Sequence, residues 1–239
     1  MAKRRISYRG VDFDIAYEIK YPENEHDFIV LHGWGSSKEL MGGAFCSCLK
    51  KYRHIYLDLP GFGASPNEEV LTTDDYAAII ALFLDSLRSD RAIIMGHSFG
   101  GKVATLLAPQ KLILLASAGI PVEKPFRIKL KIALFKLLKS FGLGSFRRYF
   151  AADDGRHLSQ NMYETFKNVV DEDFRSRFGK VSAPTLLLWG KSDTATPIAS
   201  AHTIAHIVDG ARLVEFSGDH YFFITQKAAV CAAIEGFVK

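Results

Sequence analysis

The sequence has few cysteines and no long hydrophobic segment, and these absences exclude several classes of protein. None of its apolar runs reaches the roughly 18 residues that a transmembrane helix needs. The basic N-terminal stretch MAKRRISYRG is not followed by the apolar segment of a secretory signal. With 48% hydrophobic and 23% charged residues, the composition is that of a globular domain with a sizeable core. We therefore expect a cytoplasmic protein without integral membrane association.

Only three cysteines occur, at positions 46, 48 and 231. An odd number with this spacing is no disulfide framework, and Cys46 and Cys48 would point to different faces of a shared helix. A second pair of zinc ligands is also missing. The sequence therefore predicts free thiols in a reducing compartment.

Short apolar runs alternate with segments of helical periodicity along most of the chain. Runs such as DFIVLHG, RAIIMGHS and APTLLLWG are apolar throughout, which is typical of strands buried on both faces. This pattern predicts an α/β fold with a mostly parallel sheet and helices on both faces. Strand signals are missing between residues 121 and 180. We expect a core of residues 1–120 and 181–239, with 121–180 inserted as a small helical cap above the strand ends, where such sheets bind ligands.

The stretch GHSFGG places Ser98 between a predicted strand and a predicted helix. A Gly-x-Ser-x-Gly sequence at such a junction allows a sharp turn that exposes the hydroxyl at the positive end of the helix. A purely structural tight turn has the same local pattern. Whether Ser98 is a nucleophile therefore depends on the residues that the rest of the chain supplies.

A nucleophilic serine needs a base, and the base needs a carboxylate that orients it. His220 in FSGDHYF follows a predicted strand and suits the base, and Asp193 in WGKSDTATP follows the preceding strand and suits the acid. Asp219 is the alternative acid, but it is adjacent to His220, and neighbouring residues point in different directions. We therefore predict Ser98, Asp193 and His220 as the catalytic residues.

Two backbone amides are expected to bind the oxyanion that forms when a serine attacks a carbonyl group. Phe99, directly after the serine, offers one amide, and Trp34 in the loop of LHGWGSS offers the other. We interpret His32 as a buried hydrogen-bonding residue that holds this loop. Trp34, Phe99 and Tyr221 are predicted to line the substrate pocket.

Other polar residues are interpreted as structural. Asp58 in LDLPG is expected to brace a loop, and the side chain of His97 is expected to point away from the site. His202 and His206 have the spacing of a metal-binding pair, but no carboxylate motif accompanies them, and an exposed helix face is the expected role. No metal ligand is therefore predicted.

The ordered motifs HGWG, LDLPGFGAS, GHSFGG, WGKSDTATP and GDH make the chain resemble the α/β-hydrolase superfamily over nearly its whole length. The order of the serine, aspartate and histidine is also that of the superfamily's triad. The resemblance implies an eight-stranded, mostly parallel sheet with a helical cap after the sixth strand. Within the superfamily the chain looks most like the carboxylesterase branch, which includes the methyl ester carboxylesterase for pimeloyl groups on acyl carrier protein. It is also similar to the meta-cleavage product hydrolases.

These residues and the resemblance predict a serine hydrolase that cleaves an ester with an apolar acyl or aryl group through an acyl-enzyme. No metal or organic cofactor is expected. A C–C bond hydrolase of the meta-cleavage type would use the same residues, and a non-catalytic ligand-binding protein could share the fold. A panel of substrates and a serine-directed probe would separate these three hypotheses.

Acidic residues are absent from positions 124–148, which hold eight lysines and arginines among many apolar residues. Such a segment is either a solvated helix face or a surface that attracts an anionic partner, such as an acyl carrier protein. We expect a small-molecule ester substrate and no nucleic-acid partner. Binding of an acyl carrier protein or another anionic partner to residues 124–148 is a hypothesis.

Overall fold

The computed structural model describes residues 2–122 and 159–239 of the chain. The strands in these ranges are β1 Ala2–Tyr8, β2 Val11–Lys20, β3 Asp27–Leu31, β4 Arg53–Leu57, β5 Ile93–His97, β6 Lys111–Leu115, β7 Thr185–Gly190 and β8 Arg212–Phe216. They form one eight-stranded sheet in the order β1-β2-β4-β3-β5-β6-β7-β8. β2 pairs antiparallel with β1 and β4, and all other pairs are parallel. The predicted mostly parallel sheet is confirmed.

Helices connect most of the strands. Those in the described ranges are α1 Lys38–Phe45, α2 Thr73–Ser86, α3 Phe99–Leu106, α4 Gln160–Val169, α5 Arg175–Phe178, α6 Ile198–Ile207, α7 Phe222–Thr225 and α8 Lys227–Val238. The start of α2 is fixed by a capping box, in which Thr72 Oγ1 accepts from the Asp75 amide and the Asp75 carboxylate accepts from the Thr72 amide. α1 packs with α8, and α2 packs with α3. None of the helices in the described ranges is long and apolar enough to cross a membrane.

The central strands form the hydrophobic core and place their carboxyl ends at one edge of the sheet. Every residue of β3, β5 and β7 is buried, as expected for strands covered on both faces. The six strands from β3 to β8 all run in the same direction. Their carboxyl ends therefore meet at the same edge of the sheet. The loops that follow β3, β5, β7 and β8 carry the residues predicted to act together.

The end of the predicted cap segment packs against the core. Phe174 and Phe178 are fully buried, and Met162 and Val169 of α4 are also buried. The Lys102 ammonium of α3 donates to the Val169 carbonyl at 2.6 Å, which ties α4 to α3. Residues 123–158, with the basic stretch 124–148, lie outside the described residues. The division into a core and a cap at 121–180 therefore stays a prediction.

The prediction of three free thiols is wrong. Cys48, just after α1, is joined to Cys231 of α8 by a disulfide whose Cα atoms are 5.3 Å apart. The two cysteines are 183 residues apart in the sequence, so only the packing of α1 against α8 reveals the pair. Cys46 is the free thiol among the described cysteines. The predicted cytoplasmic location stays a prediction, and disulfides are more usual in oxidising compartments.

Candidate active site

Ser98 lies in a strained turn between β5 and α3. Its backbone has φ 51° and ψ −116°, a conformation that non-glycine residues rarely adopt. The turn is held by hydrogen bonds from the Ser98 amide to the Leu115 carbonyl and from the Gly101 amide to the Ser98 carbonyl, each 3.0 Å long. Side chains cannot replace the flanking glycines, because a Cβ on Gly96 would lie 2.2 Å from the Gly100 carbonyl oxygen. The tight packing therefore explains the Gly-x-Ser-x-Gly pattern.

Asp193 and His220 are brought together from the loops after β7 and β8. His220 Nδ1 donates to Asp193 Oδ2 at 2.7 Å, and the carboxylate of Asp193 is fully buried. Asp193 Oδ1 accepts from the amides of Ala195 and Thr196 at 2.8 and 2.9 Å. Burial alone would raise the pKa of Asp193, but the hydrogen bonds from His220 and Thr196 outweigh it and keep that pKa below its usual value. Asp193 is therefore a charged acceptor for the imidazole.

The alternative acid, Asp219, makes a different contact. Its Oδ1 accepts from the backbone amide of Tyr221 at 2.9 Å, within the loop that carries His220. The hydrogen bond from His220 Nδ1 goes to Asp193 instead. The geometry thus agrees with the preference for Asp193 that the sequence suggested.

His97 is buried, but its side chain does not point away from the site as predicted. Its ring lies 4.6 Å from the His220 ring, and its Nε2 donates to the His220 carbonyl at 3.2 Å. The sequence did not reveal this position, because the chain turns sharply at Ser98, directly after His97. Burial and the neighbouring His220 lower the pKa of His97 to about 3, so its ring is neutral at physiological pH. His97, which directly precedes Ser98, therefore connects the serine turn to the loop that carries His220.

The loop after β3 lies beside the start of α3. The Trp34 ring contacts the Phe99 ring, with centroids 5.7 Å apart, so the two residues predicted to offer amides are neighbours. Phe99 is the first residue of α3, where amides lack an acceptor within the helix. His32 supports the loop as predicted: its Nδ1 donates to the Gly33 carbonyl at 2.8 Å, and its Nε2 accepts from the Leu59 amide at 3.0 Å.

Asp58 contacts the start of α1 and the loop that follows β4, which agrees with the bracing role predicted for it. Its fully buried carboxylate accepts from the Lys38 amide at 2.8 Å and from the Lys38 ammonium at 2.7 Å. The Ala64 amide donates to it as well, at 2.9 Å. A buried ion pair with these extra donors fixes the path of the chain between the Trp34 loop and α1.

Further aromatic rings lie around Trp34 and around His220. Trp34 contacts Phe62 at 4.8 Å and Phe166 of α4 at 5.2 Å between ring centroids. Tyr221, 40% exposed, lies against the rings of His97 and His220 at 5.3 and 5.5 Å. The contact from Phe166 was missed in the sequence, because α4 has no motif that would connect it to a loop more than a hundred residues earlier.

The expected absence of a metal site stays a prediction. The described residues contain no group of three or more His, Cys, Asp or Glu side chains that could hold a metal ion. His202 is exposed on α6, and its Nε2 lies 3.4 Å from Glu215 Oε1. His206 is exposed as well, which agrees with the predicted solvent-facing helix.

A sheet in this strand order, with a strained serine turn after its fifth strand, is the arrangement of the α/β-hydrolase fold that the motifs implied. The model of the Alpha/beta hydrolase family matches residues 28–233, and the chain belongs to this family. The protein is therefore a hydrolase of that fold.

Individual relatives agree with this family. The chain is 27% identical to the pimeloyl-[acyl-carrier protein] methyl ester esterase of Vibrio campbellii, over 88% of this chain and 94% of the relative. It is also 27% identical to the 2-hydroxy-6-oxononadienedioate/2-hydroxy-6-oxononatrienedioate hydrolase of Klebsiella pneumoniae, over 68% of this chain and 67% of that protein. Among solved structures, an esterase from Exiguobacterium antarcticum shares the fold, with a TM-score of 0.77, 21% identity and 98% coverage of both chains.

Proposed function

We propose that the protein is a serine hydrolase that cleaves a carboxylic ester through an acyl-enzyme, with Ser98, Asp193 and His220 as its catalytic residues. The observation that carries the proposal is the 2.7 Å hydrogen bond between His220 and the buried Asp193 carboxylate. His97, the residue before Ser98, donates through Nε2 to the carbonyl of His220 in the loop after β8. The proposal combines this oriented base with a serine held in a strained turn.

The proposed reaction has two steps. His220 takes the Ser98 proton through Nε2 as the hydroxyl oxygen attacks the ester carbonyl, and the amides of Trp34 and Phe99 bind the oxyanion. The alcohol leaves with the proton from His220, which completes the acyl-enzyme. His220 then takes a proton from water, the water oxygen attacks the acyl carbonyl, and Ser98 leaves with that proton. Asp193 stabilises the positive charge of His220 in both steps.

An ester with an apolar acyl or aryl group is the proposed substrate class. The rings of Trp34, Phe62 and Phe166 form an aromatic wall next to Phe99, and such a surface favours an apolar group. The name of the Vibrio relative, a methyl ester esterase for an acyl-carrier-protein substrate, supports the ester and extends the proposal to a carrier-bound acyl group. The predicted carrier surface, 124–148, stays a hypothesis.

A fluorophosphonate probe tests the proposal, because it phosphonylates activated serines. We expect the wild type to be labelled and Ser98→Ala to remain unlabelled. The control is Ser86→Ala, at the last residue of α2, which should be labelled like the wild type. An unlabelled wild type, or equal labelling of Ser98→Ala, would reject the serine-hydrolase assignment.

A substrate panel then separates ester from C–C bond cleavage, which the name of the Klebsiella relative keeps as the second candidate. The panel contains p-nitrophenyl esters of increasing acyl length, methyl esters of the same acids and a vinylogous 1,5-diketone. Turnover of the esters with no turnover of the diketone is expected. The reverse result would replace the ester by the C–C substrate.

The carrier hypothesis needs a separate measurement. Hydrolysis of a methyl ester on acyl carrier protein should fall steeply between about 50 and 500 mM salt, while hydrolysis of the free methyl ester changes little, because salt screens exposed charges. Equal salt dependence of the two substrates would remove the carrier from the proposal and leave the esterase assignment intact.

A further inference from the structure

Thr196 has a hydroxyl group at the centre of the acid–base pair, although no catalytic motif assigned it a role. Thr196 Oγ1 lies 2.8 Å from Asp193 Oδ2, the same oxygen that accepts from His220. It also lies 3.1 Å from the Ala116 carbonyl oxygen and 3.3 Å from His220 Nδ1. The side chain is buried, with 8% of the residue exposed. The hydroxyl thus contacts both partners of the pair away from water.

A hydroxyl has one proton, so it donates to one acceptor at a time. Two acceptors compete for the Thr196 proton: the Asp193 carboxylate and the Ala116 carbonyl. A donation to Asp193 is the stronger bond while the carboxylate has no other full charge beside it. When His220 becomes protonated, the imidazolium compensates the carboxylate, and the donation to Ala116 becomes relatively more favourable.

The backbone around Thr196 holds this hydroxyl in place. The Thr196 carbonyl accepts from Trp189 Nε1 at 2.7 Å, and the Thr196 amide donates to Asp193 Oδ1 at 2.9 Å. Ala116, at the end of β6, has φ 45°, a conformation that costs an alanine free energy. Its amide donates to the Leu188 carbonyl at 2.9 Å, which fixes the strained residue against β7. The Ala116 carbonyl is therefore a fixed second acceptor at this hydroxyl.

We propose that Thr196 is a positioning residue, whose hydroxyl orients the Asp193 carboxylate toward His220 and adjusts its hydrogen bonds as His220 gains and loses a proton. This inference rests on the proposed function, since it assigns a role within the same site. Thr196 acts through Asp193 and His220. Its loss should therefore lower the rate of the chemical steps and leave substrate binding unchanged.

Four variants test the role: Thr196→Val and Thr196→Ala remove the hydroxyl, Thr196→Ser keeps it, and Thr203→Val is the matched control. The Thr203 hydroxyl donates to the Ala199 carbonyl of its own helix, away from the site. For each variant, kcat and KM are measured with a p-nitrophenyl ester, together with the rate of fluorophosphonate labelling. Circular dichroism and melting temperature establish which variants are folded.

We expect Thr196→Val and Thr196→Ala to lose about tenfold in kcat and in labelling rate, with KM within about twofold of the wild type. Thr196→Ser should recover kcat to within about threefold, and Thr203→Val should match the wild type. If either folded variant without the hydroxyl keeps wild-type kcat, or if Thr196→Ser is as slow as Thr196→Ala, the inference is wrong. A wild type that the probe does not label would reject the serine-hydrolase assignment itself, so the two failures are distinguishable.

Discussion

Two regions flank Ser98, and they are built from different interactions. The acid–base side consists of Asp193, Thr196, His220 and His97, which are joined by hydrogen bonds between buried or partly buried polar atoms. The side predicted to line the substrate pocket, called the pocket side below, consists of Trp34, Phe62, Phe99 and Phe166, which meet through ring edges and faces. The first region depends on single atoms at defined distances, whereas the second depends on shape and apolar area.

From this difference we expect catalysis and substrate choice to be divided between the two regions. A hydrogen bond to a buried carboxylate is lost completely when one atom is removed, and the partner is left unsatisfied. Aromatic packing changes more gradually, because each ring has many weak contacts. We therefore expect changes on the acid–base side to act on kcat for every substrate and changes on the pocket side to depend on the acyl group.

The largest effect is expected from Asp193→Asn on the acid–base side. Replacement of the carboxylate by an amide removes the charge that orients and stabilises protonated His220, so kcat should fall about 10³- to 10⁴-fold for all esters. The measurement is steady-state kinetics with a short and a long p-nitrophenyl ester. Asp219→Asn is the matched control and should lose less than tenfold. A larger loss in Asp219→Asn than in Asp193→Asn would exchange the two assignments.

A smaller and substrate-dependent effect is expected from Trp34→Ala on the pocket side. The variant retains the backbone amide but loses the ring that contacts Phe62, Phe99 and Phe166. For a long acyl ester we expect kcat/KM to fall about 10- to 100-fold, and for an acetyl ester about threefold or less. The kcat/KM of Trp34→Phe for the long acyl ester should lie between those of Trp34→Ala and the wild type. Equal losses for both esters would show that the ring supports catalysis rather than substrate choice.

The smallest effect concerns stability and comes from His97. Its pKa is about 3 in the folded protein and near 6.5 when unfolded, so between these values the unfolded chain binds one more proton. The free energy of unfolding should therefore decrease as the pH falls through this window, with His97 contributing about 1.4 kcal/mol per pH unit. His97→Asn should remove that part of the slope. The measurement is urea denaturation at several values between pH 5 and 7.5.

Two other buried histidines, His32 and His54, also contribute to the pH dependence of the free energy of unfolding. Burial also lowers the pKa values of His32 and His54, so part of the slope remains in the variant. The comparison is therefore the difference in slope between wild type and His97→Asn. An unchanged slope would mean that the buried neutral state of His97 is not coupled to folding.

The pattern of apolar runs was sufficient to predict the sheet and its parallel direction, because strands buried on both faces have a distinct composition. The turn at Ser98 was also recognisable, since Gly96 and Gly100 are required by close backbone contacts that only glycine permits. The neighbourhood of Asp193 and His220 followed from a simple rule: parallel strands end at the same edge of the sheet.

Other features depend on packing between distant segments and have no local signal. The Cys48–Cys231 disulfide, the contact of Phe166 with Trp34 and the inward position of His97 all belong to this class. Thr196 is an intermediate case, because it lies in the same motif as Asp193, but its contact with Ala116 depends on the strained end of β6. The motifs predict the reacting groups and some supporting residues, such as His32 and Asp58, whereas contacts between distant segments are found only in three dimensions.

The central claim, that Ser98 forms an acyl-enzyme, is tested most directly by mass spectrometry of peptides from the acid-quenched protein. The enzyme is mixed with a p-nitrophenyl ester, quenched in acid within the first turnovers and digested to locate the modified peptide. The account predicts one acyl group on the peptide that contains Ser98 and none in Ser98→Ala. Rapid ester turnover in Ser98→Ala, or an acyl group on a different residue of the wild type, would contradict it.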